Sequence, residues 1–216
     1  MTNLSRSILT LAGALQLAAP LCAQPAAPHP VPLREDPKMA PFVTELMGRM
    51  TLDEKIGQLN LLVVGFDVTG PVVSKGVEAS IRQGRVGAVL NTYTPAAARK
   101  LQDQALKYTR LKIPILLGYD VIHGHRTMFP MPLGLAATWD LKAIEQSARI
   151  AAEEAAADGL HWVYSPMVDI TCDPRWGRVV EGAGEDPYLG SRIAEAMVRG
   201  LQGPDNDLTK PTTVMA

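Results

Sequence analysis

Polar residues suited to binding a ligand are concentrated in two stretches, each directly after an apolar run. Residues 118–130 contain Asp120 and Arg126, and residues 169–186 contain Arg178. A carboxylate at a strand end can accept two hydrogen bonds from neighbouring hydroxyls of a ligand, and an arginine can donate a planar pair. These residue types therefore predict a site for a polar ligand, built from Asp120, Arg126 and Arg178.

Each of these residues also has a purely structural interpretation, which spacing alone leaves open. Asp120 could be a turn residue that hydrogen-bonds its own backbone. Arg126 and Arg178 could be surface arginines or ion-pair partners. His123 and His125 are one residue apart, but a flanking glycine and apolar surroundings favour packed or loop-bracing histidines. We therefore predict no metal site.

Composition narrows the class of protein. The chain has 216 residues, of which 47% are hydrophobic and 20% charged, and its formal net charge is −1. This balance is typical of a globular protein and provides no basic surface for nucleic acid or an anionic membrane. The sequence lacks a P-loop, zinc-ligand spacing and a Gly-x-Ser-x-Gly elbow. A neutral polar ligand and no cofactor are expected.

The N-terminus has the pattern of an export signal. Arg6 gives residues 1–23 a positive start, an apolar stretch follows to Leu21, and Ala23 could precede a cleavage point. A membrane anchor is the alternative, but it needs about 20 apolar residues, and this stretch is shorter. We predict a secreted, periplasmic protein that has no membrane association after cleavage.

The proline-rich residues 24–39 predict an extended linker before a domain that covers residues 40–216. Once the signal is removed, Cys172 is the only cysteine of the sequence. It cannot form a disulfide within the chain, and we expect a packed thiol.

Short apolar runs alternate with helical patterns along the domain. The predicted strands are residues 61–64, 86–90, 113–117, 162–165 and 212–216. Helix starts are predicted at four polar residues, which are Thr51, Thr94, Asp140 and Asp186. The helix after Thr94 is expected to bury one face, formed by Ala98, Leu101, Ala105 and Tyr108.

Strands that alternate with helices predict an α/β fold with a parallel sheet. Two closures compete, an open doubly wound sheet and a (β/α)8 barrel of the TIM type. Because a barrel of about 250 residues needs eight strands, we expect a barrel that is truncated after about its fifth strand. Loops after the strands then meet at one face, where such barrels build their sites.

Two segments resemble the signature segments of family 3 glycoside hydrolases, particularly bacterial periplasmic β-glucosidases. They are Gly118-Tyr-Asp-Val-Ile-His-Gly-His-Arg-Thr-Met-Phe-Pro130 and Asp173-Pro-Arg-Trp-Gly-Arg-Val-Val-Glu-Gly-Ala-Gly-Glu-Asp-Pro-Tyr188. The upstream segment Met50-Thr-Leu-Asp-Glu-Lys-Ile-Gly-Gln-Leu59 is similar as well. The resemblance covers about residues 40–216.

The resemblance implies a barrel followed by a second domain, and a retaining β-glucosidase that releases terminal β-D-glucose from oligosaccharides or aryl glycosides. It implies that Asp120, Arg126 and Arg178 bind the sugar, a small carbohydrate being the expected partner. The nucleophilic aspartate and the acid/base carboxylate are expected after residue 216, so the resemblance implies no catalytic residue here and an inactive isolated fragment.

Two other interpretations stay open. The protein could be an exported sugar-binding protein that has lost its nucleophile. It could also have a sister activity of the same family, such as that of a β-xylosidase or an N-acetylglucosaminidase, since these differ in pocket contacts and share the framework.

Overall fold

Four short parallel strands form one sheet, in the order in which they occur along the chain. The structure is a computed structural model that describes residues 36–64 and 74–216. Its strands are β1 (Leu61–Val63), β2 (Ala88–Leu90), β3 (Leu116–Tyr119) and β4 (Trp162–Val163). The predicted α/β class with a parallel sheet is confirmed, and within the described residues the sheet is open.

The last residues of the chain continue the sheet beyond β4. Met215 forms a parallel bridge with Trp162. The Val163 amide donates to the Met215 carbonyl at 2.8 Å, and the Met215 amide donates to the His161 carbonyl at 2.9 Å. The run predicted as a fifth strand therefore lies where that strand would pair, although it forms a single bridge.

Helices connect the strands and cover the sheet. They are α1 (Met39–Arg49), α2 (Leu52–Gln58), α3 (Val77–Arg82), α4 (Pro95–Tyr108), α5 (Pro132–Ala136), α6 (Leu141–Ala157) and α7 (Pro187–Gln202), with a 3-10 turn at Val179–Glu181. All four predicted helix starts are confirmed, because each of their side chains accepts a hydrogen bond from the backbone amide three residues later. No helix in these two described ranges is long and apolar enough to span a bilayer.

The core lies between the sheet and the helices that pack on it. The strand residues Val89, Leu117 and Val163 are fully buried. Helix α6 packs against α7 and buries an apolar stripe, which comprises Ile144, Ala148, Ala151, Ala152 and Ala155. The α6–α7 pair thereby fixes the segments that precede and follow β4.

Three sequence-based expectations are wrong in detail. β3 runs from Leu116 to Tyr119 instead of 113–117, because Pro114 has no amide to donate to a ladder. Tyr108 is exposed, and the Arg82 guanidinium lies 4.6 Å from its ring centroid. Cys172 is exposed and not packed, since it lies in the polar loop after β4.

The predicted N-terminal segments lie largely outside the described residues. The signal segment 1–23 falls entirely there. Of the linker 24–39, only residues 36–39 are described, and they lead into α1 at Met39.

Candidate functional site

The carboxyl ends of β2, β3 and β4 lie along one edge of the sheet, because the three strands are parallel and adjacent. Asp120 follows β3 directly, and Arg178 lies in the long loop after β4. The strand order therefore places Asp120 and Arg178 at the same edge of the sheet, although they are 58 residues apart in the sequence.

Asp120 presents a carboxylate that is free of local turn bonds. Although the residue is exposed, nearby loops remove part of its water shell, and this desolvation raises its pKa. The positive charge of Arg178 lowers that pKa and the negative charge of Glu181 raises it. None of these causes is a hydrogen bond, so within the described part of the chain the carboxylate is available to accept hydroxyls.

Arg178 is held by the short turn that it begins. Its Nε lies 3.2 and 3.1 Å from the two carboxylate oxygens of Glu181, and its Nη2 lies 2.7 Å from Oε2. The hydrogen bond with Glu181 raises the pKa of Arg178, and the charges of Asp169 and Asp120 raise it further. The guanidinium thus faces several carboxylates, while 56% of the side chain stays exposed.

Arg126 is engaged in a different direction. Its Nε donates to Asp158 Oδ2 at 3.0 Å, and its Nη2 donates to the other oxygen of that carboxylate. Asp158 is the C-cap of α6 and its side chain is only 4% exposed. Arg126 is absent from the groups that shift the pKa of Asp120. The structure therefore brings Asp120 and Arg178 into electrostatic contact and ties Arg126 to α6.

The two histidines brace the loop after β3. His123 Nδ1 lies 2.9 Å from the Phe129 carbonyl, and His125 Nε2 lies 2.8 Å from Asp158 Oδ2. Among residues 36–64 and 74–216, no group of three or more histidine, cysteine or acidic side chains could hold a metal ion.

Three hydroxyls at the same edge were missed by the sequence interpretation. Thr92 Oγ1, Tyr164 OH and Ser165 Oγ are buried and have no hydrogen-bond partner in the described part of the chain. Desolvation raises the pKa of Tyr164, and the charge of Asp120 raises it as well. Buried hydroxyls normally have partners, so these three atoms are unsatisfied polar groups at this edge of the sheet. Their position directly after β2 and β4 was the available signal.

The match to a family model identifies the family of the chain. Residues 51–215 match the glycosyl hydrolase family 3 N-terminal domain. The chain belongs to this family. Asp120, Arg126 and Arg178, which the resemblance selected, all lie within the matched residues.

Known members of the family are similar over most of the chain. It is 50% identical over 162 residues to a periplasmic β-glucosidase of Salmonella typhimurium, which covers 75% of the chain and 21% of that protein. It is 31% identical over 175 residues to a β-xylosidase of Formosa agariphila, which covers 81% of the chain and 20% of that protein. The chain therefore spans about a fifth of the length of these relatives.

A solved structure agrees in fold. The β-glucosidase of Listeria innocua in complex with isofagomine matches 84% of the chain and 25% of its own, with 41% identity and a TM-score of 0.74. Another structure of that enzyme contains glucose.

Proposed function

We propose that this chain is the N-terminal part of a retaining β-glucosidase that releases terminal β-D-glucose from oligosaccharides or aryl glycosides. The observation that carries the proposal is the 50% identity over 162 residues to a periplasmic β-glucosidase of Salmonella typhimurium. In this proposal the open sheet is the first part of a (β/α)8 barrel, truncated after about its fifth strand.

Asp120 acts in binding. Its carboxylate accepts hydrogen bonds from hydroxyls of the terminal sugar, and Arg178 and Arg126 donate to hydroxyls of the same sugar. Hydrogen bonds to a charged group contribute about 1.5–3 kcal/mol each. Burial raises the pKa of Asp120, while the positive charge of Arg178 lowers it and so favours the ionised carboxylate that accepts these hydrogen bonds.

The chemical step needs groups beyond these. Retention through a glycosyl-enzyme intermediate requires two carboxyl groups about 5–5.5 Å apart, one as nucleophile and one as acid and base. We expect both after residue 216, so we propose no catalytic residue among the residues present and no turnover by the isolated 216-residue chain.

The test is a panel of nitrophenyl glycosides hydrolysed by the full-length protein. We expect the β-glucoside to be the best substrate, and Asp120→Asn to lower kcat/KM at least about tenfold, because each lost charged hydrogen bond contributes about 1.5–3 kcal/mol. Asp103→Asn is the matched control, since Asp103 is an exposed carboxylate paired with Lys107 on α4. Wild-type activity in Asp120→Asn would refute the role of Asp120.

The same panel separates the other candidate functions. The 31% identity to a β-xylosidase favours a sister activity as the second candidate. A preference for the xyloside or for the N-acetylglucosaminide would indicate such an activity. Glucose binding without any turnover would indicate an exported sugar-binding protein.

Export to the periplasm is part of the proposal. It is supported by the signal pattern of residues 1–23 and by the name of the Salmonella relative. The proposed domains are the signal 1–23, a linker 24–39 and the barrel segment 40–216. Recovery of the protein in the periplasmic fraction, with an N-terminus after Ala23, would support this assignment, and an intact N-terminus in the cytoplasm would contradict it.

A further inference from the structure

The C-terminal turn of α6 forms hydrogen bonds with the backbone of the loop that carries Arg126. Glu154 Oε2 accepts hydrogen bonds from the backbone amides of Arg126 and Thr127, both at 2.8 Å. Glu154 Oε1 accepts a hydrogen bond from the hydroxyl of Thr127 at 2.6 Å. A single carboxylate therefore receives three hydrogen bonds from two consecutive residues, which fixes where the backbone of this loop lies.

One turn later, Asp158 forms hydrogen bonds with side chains of the same loop. Its carboxylate pairs with Nε and Nη2 of Arg126 and with Nε2 of His125. The hydrogen bond from Arg126 lowers the pKa of Asp158, so the group is a carboxylate and only accepts. His125 Nε2 is consequently the donor in its hydrogen bond with Asp158.

The pairing dictates which edge of Arg126 remains available. Nε and one N–H of Nη2 are used, which leaves both N–H groups of Nη1 and the outer N–H of Nη2. The bidentate pair fixes the plane of the guanidinium, and the side chain is 64% exposed while that of Asp158 is 4% exposed. The edge that bears Nε therefore faces Asp158 at the end of α6, and the outer edge faces away from it.

We propose that Asp158 and Glu154 are positioning residues that aim the outer edge of Arg126 at hydroxyls of the sugar. This inference rests on the proposed function, in which Arg126 contacts the sugar. Asp158 sets the plane of the guanidinium and Glu154 sets the backbone from which it projects. Neither residue touches the substrate, so each affects binding only through Arg126.

The experiment compares Asp158→Asn and Glu154→Gln in the wild-type and Arg126→Ala backgrounds of the full-length protein. The readouts are kcat and KM for nitrophenyl β-glucoside, together with Tm. In the wild-type background we expect Asp158→Asn to lower kcat/KM roughly 10–150-fold, the range for one charged hydrogen bond. In the Arg126→Ala background the same substitution should change kcat/KM less than about twofold.

Glu154→Gln keeps the proposal testable if the buried Asp158→Asn variant does not fold. We expect it to raise KM several-fold when Arg126 is present and to leave KM unchanged in Arg126→Ala. Glu153→Gln is the matched control, because this neighbouring carboxylate is exposed and pairs with Arg149 instead of with the loop that carries Arg126. It should leave kcat and KM unchanged in both backgrounds.

A merely structural role gives a different pattern. Losses of kcat/KM that are equal in the two backgrounds, or a fall in Tm with no change in KM, would overturn the inference. A wild-type protein that hydrolyses none of the glycosides would instead refute the proposed function. The two failures are therefore distinguishable.

Discussion

Replacing Gly200 by alanine should force α6 and α7 apart. A Cβ atom at this position would lie 2.4 Å from the Glu145 carbonyl oxygen and 2.6 Å from the Ala148 Cβ of α6. Because the carbonyl belongs to helical backbone, the contact cannot be relieved by a side-chain rotation. The distance to that oxygen must grow by at least 0.6 Å to reach the 3.0 Å below which Cβ contacts are essentially never found.

Gly190 lies on the same helix and isolates the cost of this contact. A Cβ atom there would lie 3.7 Å from the Ile170 side chain, an ordinary contact. Gly190→Ala should stabilise the helix by about 0.5–1 kcal/mol, because alanine loses less backbone entropy. Gly200→Ala gains the same amount but suffers an overpacking cost of about 1–3 kcal/mol. The two variants should therefore differ by about 1–3 kcal/mol.

Hydrogen–deuterium exchange of the full-length protein measures this difference locally. Amides in α6 and α7 should exchange about 5–150-fold faster in Gly200→Ala than in Gly190→Ala, since 1–3 kcal/mol corresponds to that ratio. Amides of α4, which lies on another part of the sheet, serve as the internal reference. Equal protection of α6 and α7 in the two variants would refute the argument from close helix packing.

Further predictions concern the core and the helix ends. Ile144→Ala should destabilise the α6 region by about 2–5 kcal/mol, because this side chain is fully buried; denaturant unfolding measures it. Asp186→Ala should raise amide exchange at the start of α7 by removing an N-cap of about 0.5–2 kcal/mol. The Arg110 and Thr51 hydrogen bonds lower the pKa of Glu54 to about 2 from 4.5. A lowered pKa stabilises the fold above pH 4.5 and less as pH falls towards 2, so protection of α2, corrected for intrinsic exchange, should decline over that interval and stay flatter in Glu54→Gln.

Local signals in the sequence were sufficient for the helix starts. Threonine or aspartate before an apolar periodic run can cap a helix, because its side chain accepts a hydrogen bond from an unpaired amide of the helix's first turn. For this reason Thr51, Thr94, Asp140 and Asp186 were all predicted correctly. The parallel sheet also followed, because strands that alternate with helices favour parallel pairing.

Contacts between distant segments could not be predicted. The partner of Arg126 is 32 residues away at the end of α6, and no local pattern marks Asp158 as its acceptor. The short helix α3 was missed as well, since it begins at a glycine in the left-handed region, with φ 67°, and has no capping side chain. The position of Asp120 was predictable because it depends only on where a strand ends.

Both arginines are ion-paired, and the sequence had left open whether each of them forms an ion pair or binds a ligand. Ion pairing and ligand binding do not exclude each other, because a guanidinium has five donors and a bidentate carboxylate uses two. Arg126 pairs with Asp158, and Arg178 pairs with Glu181. Each arginine keeps unused N–H donors on a side chain that is more than half exposed. A neutral sugar brings no charge of its own, so unpaired arginines would favour anions over it. Carboxylate partners that neutralise both arginines are therefore compatible with the proposed binding of an uncharged sugar.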